Sequence, residues 1–251
     1  MGVDEALLRS AGAGGRPALR FYGWRGPWLS LGYPQPDDPA REAACAGAGV
    51  GIVRRSTGGR AVLHGGDLTY ALAAPVRALP SGVRASYALL AGALAAGLRA
   101  LGVAVERSAG GAAGPAPGAF DCFERPAAEE LCVGGRKLAG SAQRRAAGGL
   151  LQHGSLRLEP DPPAARRASG LGAAGATSLR ELGLAVDAQA LRESLARAFE
   201  LVLGVRLEPA ELTRDELRFA ASRGRNPLPN HLLPRSPAGA RSQGAGWAAD
   251  R

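Results

Sequence analysis

The 251-residue chain carries 31 Lys+Arg against 22 Asp+Glu, a net charge of +9, and is 46% hydrophobic. That length buries a full core, one domain of about 200 residues plus a tail, and no run of roughly 18 uncharged apolar residues is present to span a membrane. An odd number of cysteines, three, and the absence of a basic-then-apolar leader point to a reduced, cytoplasmic protein, and no compact basic run with interleaved aromatics marks nucleic acid as a partner.

Residues 3–11 read as a helix, with Asp4 and Glu5 in its first turn favoured by the helix dipole. "ALRFYGW" (18–24) and "WLSLGY" (28–33) read as strands around Arg25-Gly26-Pro27. Residues 36–49 read as a short helix opened by Asp38-Pro39. Residues 51–75 alternate short β-rich runs with glycine turns, which predicts a meander of three strands. Residues 84–102 form the clearest helix, closed by Gly102. Residues 107–119 are Gly, Pro and Ala with little else, a flexible loop by composition.

"AEELCV" (128–133), Gly134-Gly135 and "RKLAGSAQRR" (136–145) read as a two-residue hairpin, and "LLQHGSLRLE" (150–159) as the next strand. Helices follow over 187–204 and 212–223, the second capped by Thr213. From Gly224 to Arg251 the composition predicts a disordered tail. Mixed elements without regular βαβ alternation give an α+β class with a mostly antiparallel sheet.

Lys137 is the single lysine; the other 30 cations are arginines. An ammonium is a compact charge with three rotatable donors, and it can shift and pass protons. A guanidinium is planar and stays charged. A nearby cation raises the thiolate fraction of a cysteine, so a lysine kept beside cysteines suggests a nucleophilic thiol. The hairpin register opposes Cys132 to Lys137, which favours Cys132. Cys122, fifteen residues before Lys137 in a segment leaving the loop, is placed as loops place reactive groups. Local spacing leaves these two as equal candidates, with Cys45 behind them.

In "RRSTGGRAVLH" (54–64), Thr57-Gly58-Gly59 allows a tight turn and close backbone approach to a ligand, ringed by Arg54, Arg55 and Arg60. The spacing fits neither a Walker loop nor a dinucleotide fingerprint. His64 and His153 recur in similar strand contexts, where a lone histidine is more often a hydrogen-bonded structural residue than a base. No H-x-x-H or C-x-x-C is present, so no metal site is expected. Ser141 does not sit in a nucleophile elbow.

Taken in order, "RRSTGGRAVLHGGDLTYAL" (54–72), "CFERPAAEELCVGGRKLAGSAQRR" (122–145) and "LLQHGSL" (150–156), with "DEALLR" (4–9) and "LRFYGW…LSLGY", resemble the catalytic domain of the lipoate–protein ligases and octanoyltransferases. The resemblance covers roughly residues 1–223. It implies an α+β fold, a mixed and mostly antiparallel sheet flanked by helices, related to the biotin ligase catalytic domain. The arginine- and glycine-rich motif of the biotin ligases is absent. One octanoyltransferase branch carries its nucleophile in a Pro-Cys-Gly motif beyond the His-Gly strand, where this chain has no cysteine. The LipM-type branch carries it in a Cys-Phe segment ahead of the lysine strand, and Cys122-Phe123 matches that pattern. The resemblance therefore selects Cys122 over Cys132. It also suggests an upstream strand ahead of the "DEAL" helix, and leaves too few residues after the sheet for the accessory domain of many ligases.

The resulting expectation is octanoyl transfer from acyl carrier protein to a lysine of a lipoyl-carrier protein, such as the glycine cleavage H protein or an E2 lipoyl domain. Cys122 and Lys137 would be catalytic. Arg55, Thr57, Gly58, Gly59, His64, Gly140, Ser141 and His153 would bind substrate, with no metal or ATP required. Two alternatives remain: an ATP-dependent lipoate ligase with Lys137 on the acyl-adenylate, and a non-catalytic module that binds acyl carrier protein.

Overall fold

The computed structural model describes residues 1–110, 120–123, 127–171, 175–223 and 244–248. Most of the loop expected over 107–119, and all of the expected tail except 244–248, lie outside these residues. The chain opens with helix α1 (Gly2–Gly12), then strands β1 (Ala18–Tyr22) and β2 (Trp28–Leu31), helix α2 (Pro39–Gly47), strands β3 (Gly51–Arg54), β4 (Val62–His64) and β5 (Asp67–Pro75), and helix α3 (Val83–Ala100). Strands β6 (Glu106–Arg107), β7 (Leu131–Val133), β8 (Arg136–Ala146) and β9 (Gly149–Arg157) follow. Helices α4 (Pro163–Ala168) and α5 (Ala188–Leu203), strand β10 (Arg206–Ala210), helix α6 (Arg214–Ser222) and strand β11 (Gly244–Ala248) complete it.

The strands form two sheets. The larger runs β10-β11-β1-β5-β9-β8-β7-β6 with antiparallel pairing, and the smaller runs β3-β2-β4. The α+β class with a mixed, mostly antiparallel sheet holds. Residues 244–248, expected to be disordered, instead run as a strand between β1 and β10.

The expected meander over 51–75 does not form. β3 and β4 do not pair with each other; β2 lies between them, parallel to β3 and antiparallel to β4. The crossover α2 carries the chain back so that β3 lies parallel to β2, as a parallel pair requires. Leu29 and Leu31 of β2 and Cys45 of α2 pack in one small core with Leu63 and with Ala165 of α4. β5 leaves for the large sheet, where it pairs with β1 and β9.

β5 is buried along its whole length, because both faces of the large sheet are covered at its centre. One face packs Leu68, Leu72 and Leu150 against α3 and α5, where Leu94, Leu98, Leu195 and Phe199 are buried. The opposite face packs Ala71, Ala73 and Leu151 against Val3, Leu7 and Leu8 of α1. Small residues at 71 and 73 let α1 approach closely. This places Asp4 of α1 against the sheet rather than in solvent: it is 1% exposed. Thr213 caps α6 as expected, its hydroxyl accepting from Glu216 N while the Glu216 carboxylate accepts from Thr213 N.

Candidate active site

A cleft opens between the small sheet and one face of the large one. Ser30, Arg55, Gly59, Val62 and His64 line one side; Thr69, Gly140, Ser141, Ala142, His153, Gly154 and Ser155 line the other, with Cys122 at the junction.

Cys122 is placed by its neighbours. Ala61 N donates to Phe120 O at 2.9 Å and Cys122 N donates to Ala61 O at 2.9 Å, a parallel bridge that ties the segment to the small sheet. Asp121 is buried and accepts from Phe123 N at 2.8 Å and Arg166 at 2.9 Å. Phe123 is 2% exposed, its ring facing Lys137 Nζ at 4.9 Å and the Arg157 guanidinium at 5.1 Å. Asp121 and Phe123 act as anchors, and the cysteine between them faces the cleft.

The Gly134-Gly135 turn forms as expected, both glycines at positive φ (55° and 72°), and pairs Val133 with Arg136 and Cys132 with Lys137. The lysine side chain nevertheless reaches Cys122. A register irregularity at Leu131/Cys132 breaks the ladder beside the pair, and the four-carbon stem carries Nζ on to hydrogen-bond with Cys122. The ammonium places its three hydrogens on Cys122 O (2.7 Å), Cys122 Sγ (3.4 Å) and Glu130 Oε1 (2.6 Å). Burial works against the charge, but the Cys122 sulfur and the Glu130 carboxylate outweigh it and hold the Lys137 pKa above its ordinary value. Lys137 is therefore a fixed cation. Burial and the Glu130 charge push the Cys132 thiol up despite Lys137, and Cys45 Sγ sits against Ala168 O at 3.6 Å between α2 and α4. These two thiols have the character of small core residues.

Gly140 makes room for the lysine. A Cβ there would stand 2.7 Å from Lys137 Cε, 2.8 Å from Nζ and 3.3 Å from Glu130 Oε1. Gly140→Ala is expected to leave the fold intact while pushing the ammonium off the sulfur, lowering turnover by ~10²-fold, the scale of a catalytic group misplaced by about 1 Å. A kcat assay beside a circular dichroism melt checks this.

Both histidines sit in hydroxyl–imidazole–carboxylate chains. Ser30 Oγ lies 2.7 Å from His64 Nε2, and His64 Nδ1 lies 2.8 Å from Asp67 Oδ2, which also accepts from Thr69 (3.0 Å) and Ser155 (2.7 Å). Trp24 stacks on the His64 ring at 4.2 Å. Thr57 Oγ1 lies 2.7 Å from His153 Nε2, and His153 Nδ1 lies 3.0 Å from Asp4 Oδ2, which also accepts from Tyr22 at 2.8 Å. Burial holds His153 below its ordinary value against the pull of Asp4. Burial alone would raise Asp4 and Asp67, but both lie below their ordinary values: at Asp4 the His153 hydrogen bond together with the N-terminal and Arg20 charges outweighs it, and at Asp67 the interaction with His64 together with the hydrogen bonds from Ser155 and Gly65.

These shifts give a pH dependence of stability. Below 6.5, the ordinary histidine value, the unfolded chain binds a proton at residue 153 that the folded chain resists, so stability falls as the pH drops. Below 3.8, Asp4 and Asp67 add a second loss, because the unfolded carboxylates take protons first. Thermal unfolding followed against pH should show both stages, with His153→Gln removing the first.

Arg55 is 5% exposed, and burial pushes its pKa down. Its terminal nitrogens donate to Ser30 O (2.8 Å), Ser30 Oγ (2.7 Å), Gly58 O (3.3 Å) and Arg60 O (2.7 Å). No carboxylate pairs with it among the described residues.

Of the residues selected from sequence, Arg55, Gly59, His64, Cys122, Gly140, Ser141 and His153 line the cleft, and Lys137 lies directly behind Cys122. Thr57 and Gly58 do not line it. Thr57 is buried on His153, and Gly58 offers its carbonyl to Arg55. Sequence reasoning missed Glu130, Ser30, Asp67 and Asp4. A carboxylate three residues after His64 in "HGGD" was an available signal for Asp67; "DEAL" read as a dipole contribution concealed Asp4.

The model of the lipoyl protein ligase A/B catalytic domain matches residues 1–200. The octanoyltransferase LipM of Kyrpidia tusciae is 40% identical over 241 residues, covering 88% of this chain and 88% of that protein. The octanoyltransferase LipM of Moorella thermoacetica is 40% identical over 236 residues, 86% of each. Among solved structures, the bi-partite lipoate protein ligase of Thermoplasma acidophilum superposes with a TM-score of 0.66 at 22% identity, covering 88% of this chain and 84% of that one, a likeness of fold. The family model over residues 1–200 and relatives 40% identical over most of both chains agree: the chain belongs to the lipoyl protein ligase A/B catalytic-domain family.

Proposed function

We propose that this chain is an octanoyltransferase that takes an octanoyl group from acyl carrier protein onto Cys122 and passes it to a lysine of a lipoyl-carrier protein, in lipoate biosynthesis. The observation that carries the reading is the Lys137 ammonium donating to Cys122 Sγ at 3.4 Å at the edge of a cleft. The relatives named octanoyltransferase at 40% identity support it.

The ammonium stabilises the thiolate, which attacks the thioester carbonyl. The new C–S bond forms, the carrier thiolate leaves, and an acyl-enzyme remains. Lys137 and the buried Arg55 charge are fixed near the carbonyl oxygen as it becomes an oxyanion, and fixed charge needs no reorganisation at that moment. Gly140 and Gly154 present backbone to the cleft and Val62 and Ala142 add apolar surface, a slot suited to an alkyl chain. The acceptor amine then takes the acyl group and Cys122 returns as thiolate. The +9 charge suits acidic carrier domains, and the reaction belongs in the cytoplasm. No helix among the described residues is long and apolar enough to cross a membrane.

The ATP-dependent ligase is the second reading, favoured by one observation: Arg55 has no carboxylate partner among the described residues, as a phosphate-binding cation would not. Its terminal hydrogens are, however, placed on Ser30 and the loop carbonyls. The two readings separate in one assay. Octanoyl transfer to a lipoyl domain from octanoyl-acyl carrier protein without ATP supports the transferase; transfer only from free acid with ATP supports the ligase.

A further inference from the structure

Aminolysis of the acyl-enzyme needs a proton acceptor. As the amine nitrogen bonds to the thioester carbonyl carbon and the C–S bond breaks, that nitrogen must shed a proton to become an amide. Lys137 is badly placed to receive it. It already carries three hydrogens, all engaged by Cys122 O, Cys122 Sγ and Glu130, and its charge is held by a buried carboxylate.

The Ser30–His64–Asp67 chain has the missing property. Asp67 is ionised and accepts, so His64 Nδ1 carries the hydrogen on that side and Nε2 is left as an acceptor. Ser30 Oγ receives a hydrogen from Arg55 at 2.7 Å; with Nε2 as acceptor, its own hydrogen goes to His64 Nε2 at 2.7 Å in preference to Val62 O at 3.4 Å. The hydroxyl and the imidazole both line the cleft that holds Cys122. The parallel Thr57–His153–Asp4 chain differs at its hydroxyl end: Ser30 and Thr57 are both fully buried from bulk solvent, but Ser30 lines the cleft that holds Cys122 and Thr57 does not.

We infer that Ser30 and His64 form the proton relay for acyl transfer to the acceptor amine, with Asp67 holding the imidazole, an inference that rests on the acyl-enzyme reading above. The amine proton passes to Ser30 Oγ as the Ser30 hydroxyl proton passes to His64 Nε2. The imidazolium is stabilised by the Asp67 carboxylate and returns its proton to solvent. Cys122 leaves as the thiolate against the Lys137 ammonium, so charge and atoms balance. Two functional groups thus divide the cycle: Lys137 serves the sulfur and His64 serves the nitrogen.

The test separates the half-reactions. Wild-type chain, His64→Gln and Ser30→Ala are each mixed with octanoyl-acyl carrier protein, and acyl-enzyme formation is timed by quench and mass spectrometry. The acylated proteins are then given a lipoyl domain or, separately, hydroxylamine, a weakly basic amine already neutral at neutral pH whose adduct sheds its proton to water unaided. The relay predicts that the ratio of aminolysis to acylation rates falls by ~10²-fold in both variants, the usual contribution of general acid–base catalysis. It also predicts that hydroxylamine cleaves variant and wild-type acyl-enzymes at similar rates. Equal slowing of acylation and aminolysis, or of hydroxylamine and lipoyl domain, would assign Ser30 and His64 to architecture and overturn the relay. A wild-type chain that forms no acyl-enzyme overturns the parent reading first, and the relay with it.

Discussion

Cys122→Ala is expected to abolish octanoyl transfer, by at least ~10⁴-fold in kcat, while Cys132→Ala and Cys45→Ala retain most of it. The three cysteines are chemically alike and separated only by environment. Cys122 is partly exposed, faces the cleft and accepts from Lys137. Cys132 is buried on β7 with its thiol pushed up, and Cys45 is buried on the inner face of α2. Anchoring by Asp121 and Phe123 does not involve the sulfur, so Cys122→Ala should fold normally and leave the loss to chemistry. Steady-state transfer assays on the three variants, with melting curves alongside, decide it. Equal loss in Cys132→Ala would contradict the assignment.

The second large effect is at Lys137, where activity and stability separate. Lys137→Met removes the cation that holds the thiolate and leaves Glu130, 5% exposed, as a buried carboxylate without its partner. Breaking a buried pair from one side costs about 3–5 kcal/mol. The single variant should therefore lose both transfer and a large part of its stability. Adding Glu130→Gln removes the stranded charge and should restore most of the stability without restoring transfer. Denaturant unfolding of the two variants tests this. Recovery of activity in the double variant would mean that Lys137 acts only as a structural counter-charge.

What was legible in the sequence follows the range of the interactions. The Gly134-Gly135 turn is local, and it set the Cys132–Lys137 register correctly. The same local geometry favoured Cys132 as the thiol partner, because it could not show where a long side chain ends. The Thr213 cap needs only the next three residues. The parallel β2–β3 pair was not legible, since its register depends on where α2 lands, and the glycine-punctuated 51–75 stretch imitates a meander. Glu130 was hidden in a doublet. Glu129 takes a positive φ of 67° and pairs with Arg107 at the surface, and its neighbour turns inward to Lys137. The Asp4–His153 contact joins residues 149 apart, which no pattern of charge in the "DEAL" helix reveals. Where spacing left Cys122 and Cys132 undecided, the resemblance selected Cys122, the thiol that lines the cleft and contacts Lys137.

The central claim is a covalent octanoyl-cysteine held by a lysine-stabilised thiolate. Intact-protein mass spectrometry after mixing the chain with octanoyl-acyl carrier protein, without ATP, tests it most directly. The account predicts a gain of one octanoyl group, mapped by peptide analysis to Cys122 and removed by thioester cleavage. No adduct, or an adduct on Cys132, would contradict it.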